Sequence, residues 1–249
     1  MKKESLLIAG VLLGLLPKTK EGSRAKIAKV GVRKGILTYW TESDSEIKTN
    51  SIPVKKLGKG RFTTAYQGLD DGLVYLVTLS DVGPGMINTK EMIADMNLSN
   101  GPQRHIPEME QIGWTEMGKW GGITVDCTVY RSIIYKTPLR RNHSEKAWIM
   151  RRELVEAKTF AWDRNVRYPD PVVRNPRVRS DILGYLEDAK VPKGLTQDDW
   201  DGLIKAITKL AQISEDYGNM MFEFPIRNLA TDADGNLILL DVLFNPFKF

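Results

Sequence analysis

The sequence is poor in the residues that build covalent or metal scaffolds: its 249 positions hold a single cysteine, Cys127, and two histidines, His105 and His143, far apart in the chain. One thiol allows no internal disulfide, which fits a reducing compartment, and it excludes a multi-thiol metal site. Without an H-E-x-x-H or C-x-x-C pattern, a structural zinc has no ligand set. Long apolar runs are also missing. The most apolar stretch, residues 6–16, would cover roughly 17 Å as a helix, against ~30 Å of hydrocarbon in a bilayer. It does not span a membrane unaided. No small-x-small cleavage pattern follows it promptly, so it reads first as a buried or partner-docking helix, with a membrane-surface anchor through residues 5–17 and a signal peptide as alternatives. Internal repeats and low-complexity tracts are absent. What is left is a cytoplasmic chain long enough for one large domain or two small lobes sharing a cleft.

Acidic residues are scarce in one segment only. The net charge of +5 conceals it: residues 136–179 hold twelve Lys/Arg and five Asp/Glu, a net of +7, whereas residues 180–249 hold six against twelve, a net of −6. A local basic segment with Trp148, Phe160, Trp162 and Tyr168 interleaved is a candidate surface for nucleic acid or an acidic protein. Its plainer reading is a solvated basic helix and loop, with Arg151 and Arg152 offsetting the acidic last segment.

Along the chain, strand signals come first. Alternation in residues 25–43 predicts a hairpin around Arg33, Lys34 and Gly35, and three apolar runs in residues 51–81, broken by glycine and by Asp70-Asp71-Gly72, predict consecutive antiparallel strands. Met92, Ile93 and Met96 recur at helical spacing behind Asn88 or Thr89 as N-cap. Two more strands follow, separated by a turn-rich stretch at 115–122. On the second of them Cys127, between Val125 and Val129, reads as a small buried hydrophobe, while Asp126 faces the other way toward solvent. His105 reads as a loop residue, and Tyr130, Trp148 and Trp162 as core aromatics rather than stacking platforms. The second half predicts helices over 144–162 and 196–218, each behind a Ser or Thr cap, with a proline-punctuated connector at 165–178. Strands early and helices late make an α+β layout with an apolar helix and β extension at 1–50, a β-rich lobe at 51–136 and a helical lobe at 137–249.

Two short patterns bring chemistry. The stretch LGKGRFTTAY, residues 57–66, has two glycines one residue apart in a strand–turn–strand, which lets backbone N–H groups approach phosphate oxygens. Near the other end, residues 222–244 read FEFPIRNLATDADGNLILLDVLF. There an acid at Glu223 stands five residues before Asn228, and an Asp-Gly turn then leads through an apolar strand to Asp241. The glycine turn, a strand, a helix with an acid, two strands, a helical half and then acid-x-x-x-x-Asn before an aspartate together resemble a protein kinase over residues 54–244. The tail also resembles that of a small bacteriophage-encoded kinase-like group.

That resemblance implies a two-lobe kinase-like fold with a truncated helical C-lobe, Mg²⁺ and ATP as cofactors, and a role for each matching residue. Glu223 stands at the position of the catalytic aspartate, and Asn228 and Asp241 stand at those of the two metal ligands. Gly58, Lys59, Gly60 and Arg61 would lie over the phosphates, and Glu91 would be the helix acid. The sequence also departs from the pattern. Thr63 replaces the third glycine and Ala65 the following valine. Thr78 falls where a strand lysine should grip the phosphates, with Val77 or Leu79 there after a one-residue slip. No lysine occurs between Lys59 and Lys90, which leaves Lys59, Arg61 or Lys90 as substitute cations. Glu223 has one methylene more than aspartate, a displacement of about 1.5 Å. Only five residues follow Phe244, so no activation segment or peptide platform is expected. The implied function is a nucleotide-binding, degenerate kinase or pseudokinase with weak or unconventional phosphoryl transfer. The alternatives are an active, minimal serine/threonine protein kinase and a basic module for nucleic acid or a host protein.

Overall fold

The computed structural model describes residues 31–43, 46–59, 63–79, 89–120, 123–216 and 220–244; the apolar run at 6–16, Gly60, Arg61, Asn88 and Gly218 lie outside them. The alternating first half pairs as β1 (Gly31–Arg33), β2 (Ile36–Ser43), β3 (Glu46–Lys59), β4 (Thr63–Gly68), β5 (Val74–Leu79), β6 (Met109–Trp120) and β7 (Ile123–Ser132). These form one antiparallel sheet in the order β1-β2-β3-β4-β5-β7-β6, so residues 31–43 join the same sheet as the strands after them. Lys34 and Gly35 both take positive φ, the conformation a tight hairpin turn demands. The turn expected over 115–122 is much shorter. Pairing runs out to Trp120 opposite Ile123, because a register shift between Glu116 and Lys119 absorbs the irregular glycine-containing stretch as a bulge.

The sheet curls back on itself, with Trp40 of β2 pairing Trp114 of β6. Because side chains alternate along a strand, its two faces build two different cores. Tyr75 and Val77 turn inward with Leu37, Val54, Tyr66, Cys127 and Val129. Leu76 and Tyr130, on the opposite face, pack against the helices.

Helix α1 (Thr89–Asn100) buries Met92, Ile93, Ala94 and Met96 in that second core. Helix α2 (Glu145–Asn165) starts at Ser144, whose hydroxyl accepts a hydrogen bond from the Ala147 amide and satisfies one of the orphan N–H groups of the first turn. The connector expected at 165–178 is largely helical instead. Most of it belongs to helix α3 (Pro171–Asp188). The Asp170 side chain accepts from the Val172 amide, and Pro171 sits in the first turn, where its missing N–H costs nothing. Pro176 removes one intrahelical bond to the carbonyl of Val172, a residue exposed enough for water to take its place. Helix α4 (Gln197–Asp216) opens with a reciprocal cap: the Asp199 amide donates to the Thr196 hydroxyl, and the Thr196 amide donates to the Asp199 carboxylate.

The tail is a set of short pairings. It comprises β8 (Met221–Phe222), a 3-10 turn (Ile226–Asn228), β9 (Leu229–Thr231), β10 (Leu237–Leu239) and β11 (Leu243–Phe244), with β9 against β10 and β8 against β11. Strands first and helices second make the chain an α+β protein. No helix among the described residues is long and apolar enough to cross a membrane.

The closure of the sheet generates a prediction. Gly113 has φ +150, and a Cβ there would lie 2.1 Å from the Trp40 carbonyl oxygen. Gly113→Ala is expected to break the β2–β6 contact and destabilise the fold by about 3 kcal/mol, read as a lowered midpoint in urea denaturation.

Candidate functional site

The β9–β10 hairpin brings together residues thirteen apart. Its turn is closed by Asp232, whose two carboxylate oxygens accept from the Asn236 amide N–H and side-chain amide at 2.7 Å each, and by Gly235 at φ +75. At the open end, the main-chain carbonyl of Asn228 accepts from both Leu240 N (3.0 Å) and Asp241 N (3.3 Å). Asn228 and Asp241 therefore adjoin. The second ladder adds the third member: Glu223 N donates to the Val242 carbonyl at 2.8 Å, beside the β8–β11 pairs. The Asn228 side-chain amide then donates to Glu223 Oε1 at 2.8 Å, and the exposed guanidinium of Arg227 lies 4.0 Å from the same oxygen.

This arrangement suits a hard cation. With its amide nitrogen committed to Glu223, Asn228 keeps its Oδ1 as an acceptor, and Asp241 adds a half-exposed carboxylate. An amide oxygen and a carboxylate are the donors Mg²⁺ takes, with water and phosphate oxygens completing the octahedron. Among the described residues no group of three His, Cys, Asp or Glu side chains could hold a metal by itself.

The residues assigned to the nucleotide lie on the β3–β5 part of the sheet and on α1. Gly58 pairs with Ala65 and Lys59 with Thr64 at the end of the β3–β4 hairpin, whose turn includes Gly60 and Arg61 outside the described residues. Thr78 sits opposite Thr63 in the β4–β5 register and shares a 3.0 Å hydroxyl–hydroxyl bond with it. It lies on the same face as Leu76, toward the helices, and is buried. Glu91 is in the first turn of α1. Partial desolvation, and then the neighbouring Asp95, push its carboxyl above the usual range. With threonine on the strand, the strand–helix ion pair of the kinase pattern does not form.

Asp241 has other partners instead. Thr89 Oγ1 donates to its Oδ1 at 2.8 Å, and Lys90 Nζ lies 3.8 Å from its Oδ2. By sequence Thr89 is only a candidate helix cap. A contact between residues 152 apart in sequence leaves no local signal. Beside this pair, Met92, Ile93, Leu210, Ile213, Leu239 and Val242 line an apolar cleft between α1 and α4.

The hairpin is pinned from outside. Ser144 donates to the Gly235 carbonyl at 2.6 Å, Lys146 donates to Asn236 Oδ1 at 2.8 Å, and Asp199 receives both Lys146 and Arg104. His105 occupies a loop, as expected, yet it is wholly buried. Its carbonyl accepts from Leu239 N at 2.9 Å and its Nδ1 bonds the Leu237 carbonyl at 2.7 Å, so it grips β10 at two points.

The basic segment is less free than its composition implies. Lys146 pairs with Asp199, Arg164 with Asp181 at 3.6 Å, and Arg179 with Glu215 at 3.7 Å, so acids from 180–249 meet bases from 136–179 inside the molecule. Arg179 is buried and donates to the Met220 carbonyl. At the α2–α3 turn Arg174 stacks on Trp162 and Arg177 on Tyr168, each 4.2 Å from the ring centroid, with Arg167 5.0 Å from the Tyr168 ring.

No protein-family model and no curated protein matches this chain. Among solved structures, an aminoglycoside phosphotransferase from Streptomyces rimosus matches over 76% of this chain and 68% of its own, at 12% identity and a TM-score of 0.30. A TM-score that low transfers neither fold nor activity.

His105 gives the site a pH dependence. Burial holds its imidazole below the usual range, against a smaller opposite effect of the Leu237 carbonyl. Its Nε2 has no hydrogen-bond partner among the described residues, so an added proton would sit there without an acceptor. Below the ordinary histidine value of 6.5 the unfolded chain therefore binds more protons than the folded one. Stability is expected to fall as the pH drops from about 7 to 5. His105→Gln should remove that component of the slope, as read by urea denaturation across the range.

Proposed function

We propose that the chain is a kinase-like nucleotide-binding protein that takes Mg²⁺-ATP between its strand-rich part, 51–136, and its helical part, 137–249, with weak or unconventional phosphoryl transfer. The observation that carries this reading is the convergence of Glu223, Asn228 and Asp241 where the β9–β10 and β8–β11 ladders meet. In this assignment Asn228 Oδ1 and the Asp241 carboxylate hold the ion. Residues 58–61 are the segment assigned to the phosphates, since backbone N–H groups of a glycine turn can approach phosphate oxygens. When bound, Mg²⁺ neutralises phosphate charge during transfer. The chain's own part is positioning. The Asn228 amide fixes Glu223 Oε1, which leaves Oε2 to accept the proton of an attacking hydroxyl.

Two features argue for weak transfer over a fully active serine/threonine kinase. Thr78 offers no charge to the phosphates from the strand, and the longer acid places its carboxylate about 1.5 Å from where aspartate would put it, when ~1 Å can cost a hundredfold in rate. A basic module for nucleic acid or an acidic protein has less support, since Arg141, Lys146, Arg152, Arg164 and Arg179 of 136–179 already pair with acids of the chain. The tail sequence supports a place among small bacteriophage-encoded kinase-like proteins of the bacterial cytoplasm.

Thermal denaturation with Mg²⁺-ATP tests the binding. At a hundredfold excess over Kd the complex gains about 2.7 kcal/mol, or roughly 5–10 °C in Tm for a chain of this size. Asp241→Ala should abolish the shift, and a shift that survives it rules out this site. Transfer of labelled γ-phosphate, if present, should fall at least a hundredfold in Glu223→Gln.

A further inference from the structure

Thr78 brings no charge to the site from β5, but the first turn of α1 sets a lysine beside Asp241. Thr89 and Lys90 occupy both oxygens of Asp241, at 2.8 and 3.8 Å. The Lys90 side chain is only 14% exposed, against 47% for Asp241, so it is largely withdrawn from solvent beside that carboxylate. Lys90 is also the first lysine after Lys59, and Thr78, at the expected lysine position, is buried and bonded to Thr63.

We propose that Lys90 is the phosphate-contacting cation of this cleft, resting on Asp241 until nucleotide arrives, so that divalent metal and nucleotide bind well only together. This deepens the proposed function and rests on it. The reason is electrostatic. An ammonium on Asp241 repels a divalent ion seeking the same carboxylate, and metal alone must displace it without offering it another anion. A triphosphate offers that anion. Lysine is suited to the exchange, because a flexible four-carbon stem presents a compact charge with three donors, whereas the planar fork of arginine is built for fixed geometry. Thr89 keeps its hydroxyl on Oδ1 and orients the carboxylate throughout. Metal and nucleotide thus strengthen each other's binding, and by linkage the factor is the same in both directions.

Titration calorimetry of the full chain tests this with three ligands: Mg²⁺ alone, ATP alone and ATP with Mg²⁺. In Lys90→Met, Mg²⁺ alone should bind about tenfold tighter and Mg²⁺-ATP about tenfold weaker, opposite movements that a merely structural lysine would not produce. Lys90→Arg should recover part of the Mg²⁺-ATP affinity, and it keeps the charge if the methionine variant melts early. Thr89→Val should leave the factor between metal and nucleotide nearly unchanged. If both affinities of Lys90→Met stay at the wild-type values or move in the same direction, Lys90 does not have this role. Asp241-dependent binding of Mg²⁺-ATP by wild type with no effect of Lys90→Met overturns this inference alone. Absence of Mg²⁺-ATP binding by wild type overturns the proposed function with it.

Discussion

One main-chain carbonyl holds the candidate site together. The oxygen of Asn228 receives the amides of Leu240 and Asp241, and this closes a hairpin whose far end is tied by Asp232 and Asn236. Because both residues sit at the mouth of that ribbon, an amide and a carboxylate separated by twelve residues become neighbours without long side chains or a dedicated loop. Glu223 then needs only one ladder bond, to Val242, to meet them. A site built on paired backbone is placed more precisely than one on a free loop.

Such a short hairpin would be marginal alone. It is stable here because polar groups from three other parts of the chain converge on it. Ser144 serves two ends at once, capping α2 and holding the Gly235 carbonyl, while Asp199 caps α4 and draws in Lys146 and Arg104. His105 completes the grip from a buried loop. The starts of two helices and the turn of the site hairpin are thus one polar assembly.

The same view revises what the charge distribution means. Read as composition, a segment of +7 beside one of −6 suggests a sticky surface. In three dimensions Lys146, Arg164 and Arg179 face acids of the following segment, and desolvation and a backbone bond make Arg179 part of the interior. Charge counts cannot separate bases that pair within the fold from bases that face a partner, since pairing depends on which helix faces lie together.

Strand alternation, the Lys34-Gly35 and Asp234-Gly235 turns, the caps at Ser144 and Thr196 and the burial of Cys127 were legible in the residues, because each depends on neighbours a few positions away. The expected trio of Glu223, Asn228 and Asp241 was legible as an order of residues, and the ladders bring its members into contact. Helix α3 was not legible: its prolines are breakers by composition, and only their places in the first turn and beside an exposed carbonyl make them compatible with helix. The bulge that extends β6 to Trp120 was equally hidden. What the residues determined alone is the α+β layout and the lysine-free stretch between Lys59 and Lys90. What only the tertiary structure decided is the partner of Asp241, because Thr89 and Lys90 reach it through the docking of α1 on the helical core, a contact no local pattern encodes.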